Sequence, residues 1–176
     1  MRVYIIGMPA SGKSLLGKQL ALSLNLKYID LDNQLEKIEG CYVRDIIASK
    51  GYQYFREKER DCLHTILNER HIVVSCGGGT PMFYDNIEKM KKSGIVIWLN
   101  VDLSLISKRI KQNITRRPLF SELNEQEIDA KVRELYQDRE KKYKLSDIKI
   151  FINERSKNTL SSVIQQVVKF NKRKFL

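Results

Sequence analysis

Eight residues near the start, Gly7-Met8-Pro9-Ala10-Ser11-Gly12-Lys13-Ser14, set two glycines five positions apart and follow the second with a lysine and a hydroxyl. The chemistry that wants this spacing is the holding of a polyphosphate. Many N–H donors must converge at short range, so the backbone has to wrap closely, and Gly7 and Gly12 carry no Cβ to block the wrap. Lys13 can reach the outer phosphates as a flexible point charge, and the Ser14 hydroxyl can ligate Mg²⁺. A helix opening here adds its own N-terminal N–H groups and dipole. The pattern is G-x-x-x-x-G-K-[ST], the P-loop.

Other residues suit a partner for that phosphate. Asp30 and Asp32 stand two apart, which on extended backbone sends both carboxylates the same way. One could hold magnesium-bound water while the other meets an acceptor; alternatively both cap the following helix. Arg56 and Glu59 lie at i and i+3 on one helix face, where the carboxylate can fix a guanidinium fork suited to an anionic ligand. Taken alone, a surface ion pair is the better account of them. Gly77-Gly78-Gly79 allows backbone to touch a ligand directly, whereas a plain turn needs one glycine. Arg116-Arg117-Pro118 sits in an unpatterned stretch, where an arginine on a moving cover could meet transition-state charge. Arg139 lies in a charged helical stretch whose bland reading is a solvated face.

The elements around these residues read as alternating strands and helices. Strands are expected at 2–6, 27–30, 72–75, 95–99 and 148–152. Helices are expected after the P-loop and at 33–39, 43–50, 52–69, 85–93, 102–111, 125–145 and 159–170, with Gly40, Gly51 and Gly94 as stops. Residues 112–124 lack periodicity and read as a loop. Such alternation predicts an α/β protein, a parallel sheet with helices on both faces, and ligands beyond the carboxyl ends of the strands. The P-loop, the two aspartates and the glycine run all fall at that edge.

The totals narrow the classes. A length of 176 residues, 42% hydrophobic and 30% charged, suits one soluble domain with a real core. The absence of a long apolar run argues against a membrane span, and the start goes straight into a strand, unlike a leader peptide. Three scattered cysteines read as free thiols of a reducing, cytoplasmic compartment. The net charge of +11 raises nucleic acid as a partner. Basic clusters at 108–117 and 169–174 come without aromatic platforms, so a lysine-rich surface is the simpler account.

Taken together, the pieces resemble shikimate kinase, within the nucleoside-monophosphate-kinase-like P-loop group. They are G-M-P-A-S-G-K-S at 7–14, Y-I-D-L-D at 28–32, F-R-E-K-E at 55–59, G-G-G at 77–79, R-R-P-L at 116–119 and R-E-K-K-Y at 139–143. The resemblance implies a single P-loop kinase domain over 1–176, with a five-stranded parallel sheet in order 2-3-1-4-5. It implies an acceptor-binding subregion at about 33–61 and a lid at about 112–124. The activity implied is transfer of the ATP γ-phosphoryl group to the 3-hydroxyl of shikimate, with Mg²⁺ as cofactor, in a cytoplasmic monomer. Carried over by motif, Ala10, Ser11, Gly12, Lys13, Ser14, Leu15, Arg109 and Arg117 form the ATP set, with Arg109 stacking on adenine. Asp32, Arg56, Gly77, Gly78, Gly79 and Arg139 form the shikimate set, with Glu59 orienting Arg56. Lys13, Asp32 and Arg117 are the catalytic group. Ser14 and, through water, Asp30 hold the metal. The chain departs from the family in lacking the proline of R-x-P-L-Y after Arg139, and in Phe120 where a leucine is usual. Gluconate kinase and an ATP-regulated nucleic-acid-binding protein are the rival readings.

Overall fold

The computed structural model describes residues 1–114, 118–156 and 158–175. Among them, five strands form one parallel sheet: β1 (Arg2–Gly7), β2 (Lys27–Asp30), β3 (Ile72–Ser75), β4 (Ile95–Val101) and β5 (Ile148–Ile152), in the order β2-β3-β1-β4-β5. This is the expected order. The three inner strands are continuous apolar runs such as Val3-Tyr4-Ile5-Ile6 and Ile95-Val96-Ile97-Trp98-Leu99, and these residues are buried to the last. Runs of that kind, without polar alternation, need both sheet faces covered. β4 extends two residues beyond the expected Leu99 because Asn100 and Val101 still pair with β5.

The helices are α1 (Lys13–Ser23), α2 (Leu31–Glu39), α3 (Val43–Ile66), α4 (Asn86–Ser93), α5 (Leu103–Lys111), α6 (Glu125–Tyr143) and α7 (Thr159–Phe175). α3 is two helices run together across Gly51, whose φ of 85° and ψ of 162° break it where the sequence predicts a stop. α6 opens on a capping box: Asn124 accepts from the amides of Gln126 and Glu127, and the Glu127 carboxylate returns to the Asn124 amide. Within the unpatterned 112–124 stretch, Pro118–Phe120 form a 3-10 turn. Thr115, Arg116 and Arg117 lie outside the described residues.

One expectation needs correcting. Asp30 and Asp32 do not share an extended strand end. Helix α2 starts at Leu31, two residues early, because Asp30 itself is the N-cap and accepts from the Asn33 amide at 3.4 Å. Asp32 therefore sits in the first helical turn, and helix rather than pleat geometry sets the direction of the two carboxylates.

Several residues of the basic clusters have partners. Lys108 pairs with Glu154, Lys111 with Asp129, and Lys174 with Asp147 and the carbonyls of Lys91 and Gly94. Cys41, Cys62 and Cys76 are free thiols. Burial pushes the Cys62 thiol up to about 11, so it is unreactive near neutrality.

Candidate active site

The P-loop follows β1 and opens α1. Gly12 takes φ 94° at the α1 N-cap with no side-chain cap, so the first N–H groups of the helix point into the loop. A Cβ at Gly7 would stand 2.7 Å from the Leu99 carbonyl oxygen. Lys13 Nζ reaches back to the carbonyls of Met8 at 2.8 Å and Gly7 at 3.1 Å, which keeps the ammonium inside the loop's mouth. Arg109 crosses from α5 and donates to the carbonyls of Ala10 at 3.2 Å and Ser11 at 3.4 Å.

Beside the loop lies a cleft of about 710 Å³. Ala10, Ser11, Gly12, Leu15 and Arg109 line it, so five members of the expected ATP set meet around one space. Leu15 points outward, 66% exposed, while Leu16 and Leu20 serve the core. The far wall is formed by residues just after β5 and at the start of α7, including Asn153 and Thr159. Sequence reading missed that wall. The available signal was position: the segment follows β5 at the carboxyl edge, where such sheets bind ligands.

Ser14 Oγ donates to Asp30 Oδ2 at 2.9 Å, and Tyr28 donates to the same oxygen at 3.1 Å. A hydroxyl and a carboxylate side by side at the phosphate mouth are hard oxygen donors, the set that Mg²⁺ takes.

The glycine run joins the remaining residues. None of Gly77, Gly78 and Gly79 has a left-handed φ. Glycine is needed here for room. A Cβ on Gly77 would lie 3.0 Å from Asp32 Oδ1 and 3.1 Å from Glu59 Oε1. One on Gly78 would lie 2.9 Å from Arg139 Nη1, and one on Gly79 would lie 3.0 Å from Arg56 Cζ. The run is a strap across which charged groups are packed, Asp32 and Glu59 against Gly77, Arg139 against Gly78 and Arg56 against Gly79. Two supports hold it that sequence reading did not find. Tyr143, fully buried on α6, donates to the Gly78 carbonyl at 2.6 Å, and Asn86 donates to the Thr80 carbonyl at 2.9 Å. No local pattern could reveal the first, since 65 positions separate its partners.

Arg56 and Glu59 are a buried pair, 7% and 1% exposed, joined at 2.5 Å. Glu59 also accepts from Thr80 Oγ1 at 2.6 Å. The surface-pair alternative is thereby excluded. Arg56 Nε is buried with no hydrogen-bond partner among the described residues. A buried donor left unpaired is costly and calls for a reason in the site. Arg139 is buried too, one turn before Tyr143 on the inner face of α6, despite its charged neighbours and the missing proline. Asp32 completes the cluster. Burial first, and then the charges of Glu59 and Asp30, push its carboxyl up to about 6.

The arrangement therefore places a phosphate-binding loop beside a carboxyl group of raised pKa and two buried arginines. Comparisons with known proteins agree with it. The family described as "Shikimate kinase" matches residues 9–172. A shikimate kinase of Sulfurihydrogenibium sp. is 38% identical over 172 residues, covering 98% of each chain. One from Persephonella marina is 39% identical over 148 residues, 84% of this chain and 87% of that one. Among solved structures, the shikimate kinase of Bacteroides thetaiotaomicron superposes with a TM-score of 0.89 at 28% identity, covering 98% of both chains. That of Acinetobacter baumannii, in complex with shikimate, gives 0.84 at 25% identity, covering 99% of this chain and 94% of that one.

Proposed function

We infer the reaction from one premise: the chain belongs to the shikimate kinase family. It transfers the γ-phosphoryl group of ATP to shikimate, at the 3-hydroxyl. The observation that carries this reading is the packing of Asp32, Arg139 and Arg56 on the Gly77–Gly79 strap beside the P-loop. An acceptor with a carboxylate and a ring hydroxyl has a partner for each end there.

The residues divide the work as follows. Arg56 and Arg139 clamp the carboxylate, and Glu59 fixes the Arg56 fork. The strap gives the ring a flat seat. Asp32 orients the attacking hydroxyl and takes its proton as the oxygen bonds to phosphorus. Lys13 neutralises charge on the transferring group and on the ADP leaving group. Arg117, outside the described residues, joins it from the lid at about 112–124. Ala10, Ser11, Gly12, Leu15 and Arg109 seat the nucleotide. Ser14 and, through water, Asp30 would hold Mg²⁺, which supplies charge neutralisation across the phosphates. The reading takes the protein as a monomer of the single domain 1–176. The free thiols support a cytoplasmic setting.

A coupled ATPase assay over shikimate, gluconate, nucleoside monophosphates and no acceptor tests the reading. Turnover should appear with shikimate alone, and equal or greater turnover with gluconate would overturn it. The carboxylate assignment has its own test. Shikimate carboxamide should bind tenfold or more weakly than the acid, as the loss of a charge-assisted contact of about 1.5–3 kcal/mol dictates. Equal binding of acid and amide would remove the arginines from that role. For the metal, Asp30→Asn should raise the Mg²⁺ concentration needed for half-maximal rate at saturating ATP. An unchanged requirement would leave Asp30 as a helix cap alone.

A further inference from the structure

Arg56 is held at more points than Glu59 supplies. Tyr52 lies one helical turn earlier, directly after the Gly51 break, and its hydroxyl accepts from Arg56 Nη2 at 2.5 Å. Glu59, nearly one turn later, accepts from Nη1 at 2.5 Å. The three residues thus form a stripe on one face of α3. The guanidinium is also walled by aromatic rings: Cζ lies 4.7 Å from the Tyr52 centroid, 4.6 Å from that of Phe55 and 4.3 Å from that of Phe83. Tyr52 meets Phe83 edge-on at 5.8 Å. Yet Tyr52 is 48% exposed, so burial alone does not require a residue of this size there.

A guanidinium carries five N–H donors in one rigid plane. Pinning one Nη leaves rotation about the remaining axis; pinning both fixes the plane. Glu59 alone pins the first. We propose that Tyr52 is a positioning residue for the acceptor site, its hydroxyl pinning the second Nη so that Arg56 presents its remaining donors in a single orientation to the acceptor's carboxylate. The proposal rests on the reading of Arg56 as a carboxylate ligand. The aromatic wall contributes by excluding water, which strengthens both pins. Tyr52 does not touch the reacting atoms, so its effect falls on acceptor binding and not on the chemical step.

The test is Tyr52→Phe, which keeps the ring and its contacts and removes one oxygen. Parent turnover with shikimate is measured first, and its absence would refute the kinase reading rather than this one. With the parent active, Tyr52→Phe should raise the KM for shikimate about three- to tenfold, leave kcat within about twofold, and leave the KM for ATP unchanged. The preference for acid over carboxamide should shrink by a similar factor, a readout that a merely structural ring would not move. Tyr52→Leu, which removes the ring as well, should raise the KM further. A KM for shikimate unchanged in Tyr52→Phe would show that only the ring matters. A lowered KM would show the hydroxyl competing with the acceptor for Nη2. Either result overturns the proposal.

Discussion

Asp32→Asn is expected to lower kcat at least a hundredfold and, in the same protein without ligands, to raise the melting temperature at pH 8. Both effects turn on the buried placement of Asp32, whose carboxyl is pushed up to about 6 by burial and by the charges of Glu59 and Asp30. The catalytic half follows from the proposed role, since a positioned general base supplies roughly 10²–10⁴ in rate. The stability half follows from linkage. The folded-state value lies above the ordinary 3.8, so the native protein binds the proton more tightly than the unfolded chain. Stability is therefore lost as pH rises from about 4 through about 6, and the loss is complete above that window. A shift of this size corresponds to about 3 kcal/mol, and roughly 2 once partial solvent access is allowed for. For a chain of this length that is about 4–8 °C. Asparagine carries no charge and escapes the cost, so the two melting curves should coincide near pH 4 and separate by pH 7. The parent's kcat/KM should correspondingly fall as pH drops below about 6, when Asp32 protonates. Melting curves that stay together at every pH would remove the burial cost, and a variant with parental kcat would remove Asp32 from the chemistry.

Lys13→Ala should abolish measurable turnover while leaving the fold intact. The ammonium contacts main-chain carbonyls at the mouth of the loop, and the α1 core contacts come from Leu16, Leu20 and Ala21. Its removal costs little packing. What is lost is a charge placed where the transferring phosphoryl group must pass, an effect on the order of 10²–10³ in kcat or more. Circular dichroism and turnover measured on one sample decide it. A folded variant with near-parental turnover would take the P-loop lysine out of the mechanism.

The parts of this molecule that could be read from sequence are those whose reasons are local. The P-loop is legible because wrapping a phosphate demands glycine at fixed positions. The strand order was legible only through the family likeness, since alternation alone gives a parallel sheet without saying which strands are neighbours. Asp30 shows why boundaries fail. The same residue type ends a strand, caps a helix and suits a metal, and periodicity cannot choose among these. The motif pointed to Arg139, but its burial was hidden by its neighbours: Glu140, Lys141 and Lys142 make the segment look solvated, while the four-residue step from Leu135 to Arg139 and on to Tyr143 keeps it on the buried face. Tyr143 and Thr80 were missed because their bonds, to Gly78 and Glu59, join distant parts of the chain. Tyr52 could have been suspected from its i,i+4 spacing to Arg56, but its hydroxyl has no signature of its own.

The bare strap at Gly77–Gly79 also limits how this protein can change. An inhibitor leaning on it would touch main chain alone, and point mutation cannot alter a peptide group. Resistance would have to add a side chain. The first atom of any such side chain would come within about 3 Å of Asp32, Arg139 or Arg56. Those are the groups proposed to hold the acceptor, so on that reading each escape route would weaken the binding of the enzyme's own substrate. The outer face of α6 carries no such constraint, whereas at the strap any substitution meets a packed side chain.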